Sequence, residues 1–225
     1  MVTTTRVDGD FAIDGNRALL ETRRRNVVDL PWAWLRQVHG AEVVSASAAN
    51  LSDISGTDGD ALVSNDAAIA LAVQTADCAA ITFWSAEGVI GIAHAGWRGL
   101  EAGIVGTTTA AMRAMGATVI DAQVGPYIHV ECYEFGDADL DRLASRFGPP
   151  IRGKTANGGP ALDMARLVEA SLANAGVRRI VDDYSCTACD APRWYSHRAR
   201  AESGRMATVI WMGEVANRSV RSGDQ

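Results

Sequence analysis

Three short segments combine a reactive side chain with the end of an apolar run: RQVHG (36–40), QTADC (74–78) and AHAGWRG (93–99). Side chains at strand ends are held by a sheet yet face the surface, which is what catalysis requires. His39, Cys78 and His94 together offer two imidazoles and one thiolate. That donor set suits a borderline-soft divalent ion such as zinc, with bonds of about 2.0–2.1 Å to nitrogen and about 2.3 Å to sulfur. Three protein ligands leave a fourth position for water, as in catalytic rather than structural zinc sites. The separations along the chain are not those of a zinc finger, so spacing alone leaves a second reading open: three unrelated buried polar residues. Histidines occur only at 39, 94, 129 and 197 and cysteines only at 78, 132, 186 and 189, so any metal site draws on a short list plus Asp and Glu.

The elements that must position these groups follow from hydrophobic patterning. AEVVSAS (41–47) and DALVS (60–64) read as short strands, and AIALAVQ (68–74), AAITFW (79–84) and VIGIAH (89–94) as apolar runs of strand length. Their near-continuous hydrophobicity predicts central strands covered on both faces. From Gly99 to Met115, Leu100, Ile104, Thr108, Ala111 and Met115 recur at helical spacing. ATVIDAQVG (117–125) is a further strand, and DADLDRLASRFG (137–148) a helix with acidic residues at its start and a Gly-Pro-Pro stop. Residues 149–160 form the longest expected loop. DMARLVEASLANAG then places Ala165, Val168, Leu172 and Ala175 on one helical face, with Gly176 at the end. RRIVDDY (178–184) and RMATVIWM (205–212) complete the strands. Grouped strands with tight connections favour an α/β sandwich of α+β type with mixed sheets over a regular doubly wound fold. No break in composition divides the chain, so one domain over 1–225 is expected.

Composition narrows the function classes. The 225-residue chain carries 27 acidic and 21 basic side chains, a net charge of −6, and 48% apolar residues. It can bury a substantial core, and no apolar run approaches the roughly 18–20 residues of a membrane span. MVTTTRVDGD has no apolar stretch behind a basic end, so a secretory leader is not expected. A net-acidic chain with scattered arginines does not fit a general nucleic-acid binder. A cytoplasmic protein with no nucleic-acid or membrane partner is expected. Lys154 is the sole lysine, so nearly all positive charge is arginine, which suits bidentate anion contacts but equally follows from codon bias.

RQVHG, TADC, AHAGWRG, GPYIHVECYEFG and CTACDAPRWYSHRA occur in that order. They closely resemble the ordered blocks of the purine nucleoside phosphorylase family formerly called multicopper polyphenol oxidoreductase, or laccase-like. The closing SGRMATVIW resembles the family's last strand, so the likeness runs from about Arg36 to Met212. The resemblance implies metal ligands at His39, Cys78 and His94, with zinc bound and copper able to occupy the same site. It also implies phosphorolysis of adenosine, inosine, guanosine or methylthioadenosine, deamination of adenosine, and a fold shared with cysteine hydrolases and toxin deamidase domains. The sequence departs from the family in two blocks. TTTRVDGDF keeps a Thr-Arg step at Arg6 without the paired glycines, and the stretch that follows is short. WYSHRAR carries His197 and Ala199 where the family tends to have Tyr and a second Arg.

Roles follow from chemistry. A zinc ion on three ligands lowers the pKa of its water to about 7, and deamination then needs a carboxylate to carry a proton. Asp77, beside Cys78, is the nearest, although Asx-type bonding of the loop is an equal reading and neighbours on a strand face opposite ways. Phosphorolysis needs cationic stabilisation of phosphate and purine. Arg98, at an expected helix start, leads there, with Arg6 and Arg198 in the departing blocks as further candidates. Gln37 alternates onto the face of His39 as a donor to substrate. Tyr133 and Trp97 could stack on a base, whereas Trp194 reads as core. His129 reads as lying behind or beside the site, and Cys186-Thr-Ala-Cys189 as half a zinc or redox motif without a second pair.

Two other functions use the same residues. Cys78 with His94 or His39 would make a cysteine-dependent amide hydrolase, for which peptidoglycan precursors are the implied substrates. A His2Cys set is also that of a blue-copper centre, giving a copper-dependent polyphenol oxidase. A multicopper oxidase, however, needs roughly eight further imidazoles, and only His129 and His197 remain.

Overall fold

The computed structural model describes residues 1–213. Its strands are β1 (Val2–Thr3), β2 (Trp32–Ala33), β3 (Val43–Ser45), β4 (Ala61–Ser64), β5 (Ala70–Thr75), β6 (Ala79–Trp84), β7 (Ile90–Ala95), β8 (Asp121–Val124), β9 (Arg152–Lys154), β10 (Pro160–Leu162), β11 (Arg179–Asp182) and β12 (Met206–Trp211). The helices are α1 (Arg17–Val27), α2 (Leu51–Ile54), α3 (Trp97–Ala102), α4 (Ile104–Ala114), α5 (Asp137–Phe147), α6 (Met164–Asn174) and α7 (His197–Arg200). One sheet runs β1-β12-β5-β2 and a larger one β11-β8-β6-β7-β4-β3, with β9 and β10 forming a separate hairpin. Both large sheets are mixed: β2 lies parallel to β5, β3 to β4 and β8 to β11, and the other pairs are antiparallel.

Strand periodicity sorts the core into layers, because successive side chains point to opposite faces. Leu62, Ala80, Ile90 and Ile92 of the large sheet meet Leu71, Val73 and Ile210 of the small one. The alternate residues Ala61, Val63, Ile81, Phe83, Ala93 and Ala95 face the helices, meeting Leu100, Ile104, Met112, Leu143, Leu167 and Leu172. On the far side of the small sheet, Ala70, Ala72, Ala207 and Val209 pack with Phe11, Leu20 and Trp32, so α1 covers it. The order of layers is helix, sheet, sheet, helices, which leaves β5, β6 and β7 covered on both faces as their hydrophobicity predicts.

Several elements differ from the sequence reading. The helix expected over 99–115 begins at Trp97 and is divided at Gly103, whose φ of 95° ends α3 and starts α4. The expected loop at 149–160 contains a 3-10 turn, β9 and the start of β10. In α6 the buried face is Met164, Leu167, Val168, Ser171 and Leu172, so Val168 and Leu172 of the expected face are buried while Ala165 and Ala175 are only partly so. No described helix is long and apolar enough to cross a membrane.

Candidate metal centre and its cavity

Register brings the reactive groups to one end of the large sheet. Ala80 pairs with His94 across β6 and β7, and Ala61 with Ala93 across β4 and β7. Continuing each ladder by one or two residues puts Asp60, Cys78 and His94 at the same edge and, by the period of two, on the face toward the small sheet. Asp60 closes the β4–β7 ladder through its carbonyl, which accepts from His94 N at 2.7 Å. His39 arrives from the loop before β3. The ligand atoms of His39, Cys78 and His94 all lie within 4.8 Å of one another. Cys78 Sγ is 4.0 Å from His39 Nε2, and the two imidazoles meet edge to face at 4.7 Å.

Asp60 is the residue that the sequence reading missed. It is fully buried, and its Oδ1 sits 2.8 Å from His94 Nδ1. The same carboxylate accepts from three consecutive loop amides: His39 N at 2.9 Å, Gly40 N at 2.7 Å and Val38 N at 3.2 Å. One buried charge therefore fixes both histidines, one through its ring and the other through its backbone. With Nδ1 of His94 engaged, Nε2 is the nitrogen left for a metal ion. The available signal was an Asp directly preceding a fully apolar strand, DALV, where solvation is lost.

The backbone is specialised here. His39 has φ 60° and Asp77 φ 91°, conformations that non-glycine residues rarely adopt. The positive φ at Asp77 turns the ADC segment, so Asp77 and Cys78 both face the cavity. Gly96 is required by close approach: a Cβ there would stand 2.9 Å from Cys78 Sγ and 3.1 Å from His39 Cδ2. The site is a tight cradle of thiolate and imidazole donors, one of them braced by a buried carboxylate, and its donor chemistry fits a divalent ion.

Electrostatics agree with that fit. Burial opposes ionisation of Cys78, but the charge of His94 and hydrogen bonding to His39 outweigh it and lower the thiol to about 6. Burial likewise opposes charge on His94, but Cys78 and Asp60 raise it to about 9. Burial works against the Asp60 carboxylate too, yet His94 and the Gly40 and His39 amides hold it below its ordinary range. These opposite shifts favour thiolate and imidazolium over the neutral pair, and a cation bound between them would displace the imidazolium proton.

A cavity of about 740 Å³ opens beside the three ligands. Of the residues read from sequence, Gln37, Asp77, Arg98, Tyr133 and Arg198 line it, as do Trp97 and His197. Ala12, Ile13 and Asp14 also line it, so the short N-terminal region does reach the pocket. Arg198 lies over the Tyr133 ring, 4.6 Å from its centre, and Arg98 over Trp97 at 4.2 Å. Asp77 is engaged at both oxygens, accepting from Thr187 Oγ1 at 2.6 Å and from Arg198 N at 2.6 Å.

Two substrate candidates are committed elsewhere. Arg6 does not line the cavity; it pairs with Glu202, donates to Trp194 O and stacks on Tyr195. Gln37 lines it, but its amide is occupied like a rung of a sheet, donating to Gln74 O and accepting from Gln74 N, both at 2.7 Å. Trp194 is core, 1% exposed. His129 lies apart from the three ligands, beside Tyr127, Tyr184 and Glu131.

With this geometry in place, the sequence can be set against known proteins. The profile of the family described as multi-copper polyphenol oxidoreductase laccase matches residues 2–213. This chain belongs to that family. Its relatives include a purine nucleoside phosphorylase of Mycobacterium tuberculosis, 34% identical over 211 residues, spanning 91% of this chain and 81% of that protein. A purine nucleoside phosphorylase of Xylella fastidiosa is 34% identical over 215 residues, with 92% and 81% covered. Among solved structures, family member NMB0706 of Neisseria meningitidis superposes with a TM-score of 0.80 at 29% identity, covering 91% of this chain and 86% of that one. YlmD from Geobacillus stearothermophilus gives 0.79 at 30%, covering 90% and 83%. The mixed α/β architecture is thus the architecture of the family.

Proposed function

We propose that the chain is a zinc-dependent purine nucleoside phosphorylase, working as one cytoplasmic catalytic domain on adenosine, inosine, guanosine or methylthioadenosine with phosphate. The observation that carries this reading is the convergence of His39, Cys78 and His94 on a cavity that Arg98, Arg198 and Tyr133 also line. The names of the curated relatives support it. The cysteines, all free, suit a reducing compartment.

His39, Cys78 and His94 would hold the ion, which supplies Lewis acidity at one side of the cavity. Arg98 and Arg198, which line the cavity, would supply the positive charge that phosphate needs as it approaches ribose C1′, and the developing charge on the departing purine needs the same stabilisation. As the phosphate oxygen bonds to C1′, the bond from C1′ to the purine nitrogen breaks and its electron pair leaves with the base. Tyr133, mostly buried but lining the cavity with its ring under Arg198, would be the aromatic side chain to meet that base. Asp77 holds the Arg198 backbone, and with one donor on each oxygen it keeps lone pairs with which it could take part in proton transfer. Zinc is favoured over a blue-copper centre because, among the described residues, no methionine lines the cavity to serve as the weak axial ligand.

The test is adenosine turnover by metal-assayed protein, with and without phosphate and chelator. Adenine and ribose 1-phosphate should appear only with phosphate and disappear on chelation. Inosine formed without phosphate would mark deamination instead, and no turnover by zinc-loaded protein would overturn the nucleoside reading. The lowered Cys78 thiol favours one alternative, a cysteine-dependent amide hydrolase. Such an enzyme would survive chelation and be lost on alkylation of Cys78.

A further inference from the structure

The CxxC at 186–189 finds its missing half in space. Cys132 and Glu131, from the 3-10 turn after β8, come together with Cys186 and Cys189, from the segment after β11, with all ligand atoms within 4.8 Å of one another. We propose that Glu131, Cys132, Cys186 and Cys189 form a second metal site, separate in its residues from His39, Cys78 and His94, closed to substrate and taking zinc.

The donor set argues for the metal. Three thiolates and a carboxylate supply four positions, the number of a closed structural zinc site, where catalytic sites leave one open. The spacing argues for it too. In a tetrahedron with zinc–sulfur bonds of about 2.3 Å, sulfurs stand about 3.8 Å apart. Cys132 Sγ and Cys189 Sγ are 3.4 Å apart, and Cys189 Sγ is 3.7 Å from Glu131 Oε1. Accepting an ion thus asks the two sulfurs to part by a few tenths of an ångström. A disulfide would ask them to close to about 2.0 Å instead.

The surroundings are those of a ligand shell. His129 N points at Cys186 Sγ at 3.4 Å, an amide contact that a thiolate strengthens. His129 Nδ1 lies 3.7 Å from Glu131 Oε1, near the carboxylate without a direct hydrogen bond to it. Cys186 is buried and Cys189 exposed, so the site has an entry path from solvent.

The role is to tie the cavity wall together. Cys132 precedes Tyr133, which lines the cavity, and Cys186 precedes Thr187, whose hydroxyl holds Asp77. The Tyr127–Cys186 bridge already joins these segments through the backbone, and a metal adds a side-chain cross-link over 57 residues of sequence.

The inference stands independently of the phosphorylase reading and is tested by metal content. Protein purified under reducing conditions and saturated with zinc should hold two ions per chain by native mass spectrometry. Cys78→Ser should retain one, and either Cys189→Ser or Cys132→Ser should also retain one, by loss of the other site. Cobalt in Cys78→Ser should give thiolate-to-metal charge transfer that Cys189→Ser in the same background abolishes. A wild-type protein that binds one ion, lost entirely in Cys78→Ser, would overturn the proposal. So would a Cys132–Cys189 disulfide that persists at saturating zinc under those conditions.

Discussion

Replacing Asp60 by Asn tests the central structural claim, that one buried carboxylate positions both histidines. Oδ1 serves His39 N and His94 Nδ1, and Oδ2 serves Val38 N and Gly40 N. An amide keeps one oxygen, so two contacts are lost or reversed whichever way it turns. If nitrogen takes the Oδ2 place, the Val38 and Gly40 amides face a donor. If it takes the Oδ1 place, the His39 amide faces a donor and His94 Nδ1 must accept, which puts the ring proton on the nitrogen needed for metal. Each stranded buried donor costs about 1–3 kcal/mol. Partial hydration of this half-exposed loop keeps the sum near 2–4 kcal/mol, or a fall in Tm of roughly 5–15 °C at about 2–4 °C per kcal/mol. Zinc affinity should fall about 10–100-fold, as for other groups that orient a ligand. Calorimetry of the metal-free protein reads the first effect and competition with a chromophoric chelator reads the second. Because the carboxyl is held below its ordinary range, its contribution is complete above about pH 4 and is lost as pH falls through its folded value. The gap between wild type and variant should therefore narrow in acid. A Tm within about 1 °C of wild type with unchanged zinc affinity would refute the reasoning.

Three further outcomes follow. Gly96→Ala drives a Cβ into Cys78 Sγ and His39 Cδ2, so zinc affinity should drop at least about 10-fold by the same competition assay while the metal-free fold persists. In Arg98→Ala, loss of an anion contact should raise the KM for phosphate by about 10-fold or more, with nucleoside KM less affected, by steady-state kinetics with each substrate varied. In chelated protein, alkylation of Cys78 should rise with pH through about 6 rather than about 9, because the thiolate is the reactive form; His94→Gln should move that midpoint upward, as mass spectrometry of the labelled peptide would show.

What the sequence made legible was governed by local rules. β6 matches its apolar run at 79–84 to the residue, since a strand covered on both faces needs little besides hydrophobicity. The metal-site trio was visible as residue types, and the family blocks put the three together. Their convergence depends on the β4–β7–β6 register, which no single segment encodes. Helix α1 escaped notice because its only buried side chains are Leu20 and Arg24, and Arg24 is housed by the rings of Trp32 and Trp34 rather than by an apolar face. Asp77 was expected beside the metal ligand for its chemistry, while its two partners, Thr187 and Arg198, lie more than a hundred residues onward. Gln37 lines the cavity with His39, but an expected alternation says nothing of the Gln74 backbone waiting to pair with it. The CxxC lacked a partner for the same reason, since Glu131 and Cys132 reach it only through the fold.

The small sheet has a temporal consequence. Its order, β1-β12-β5-β2, seats the last described strand between the first strand and β5, with Val2 opposite Val209 and Ala72 opposite Val209 from the other side. A ribosome that has released β1 through β7 has delivered His39, Cys78 and His94, yet the sheet behind them is split. Ser203 and Arg205, which line the cavity just before β12, are still unmade. Contacts of such long sequence separation form slowly. The nascent chain therefore holds its metal donors well before it has a pocket to use them, and binding competence should arise abruptly as β12 emerges.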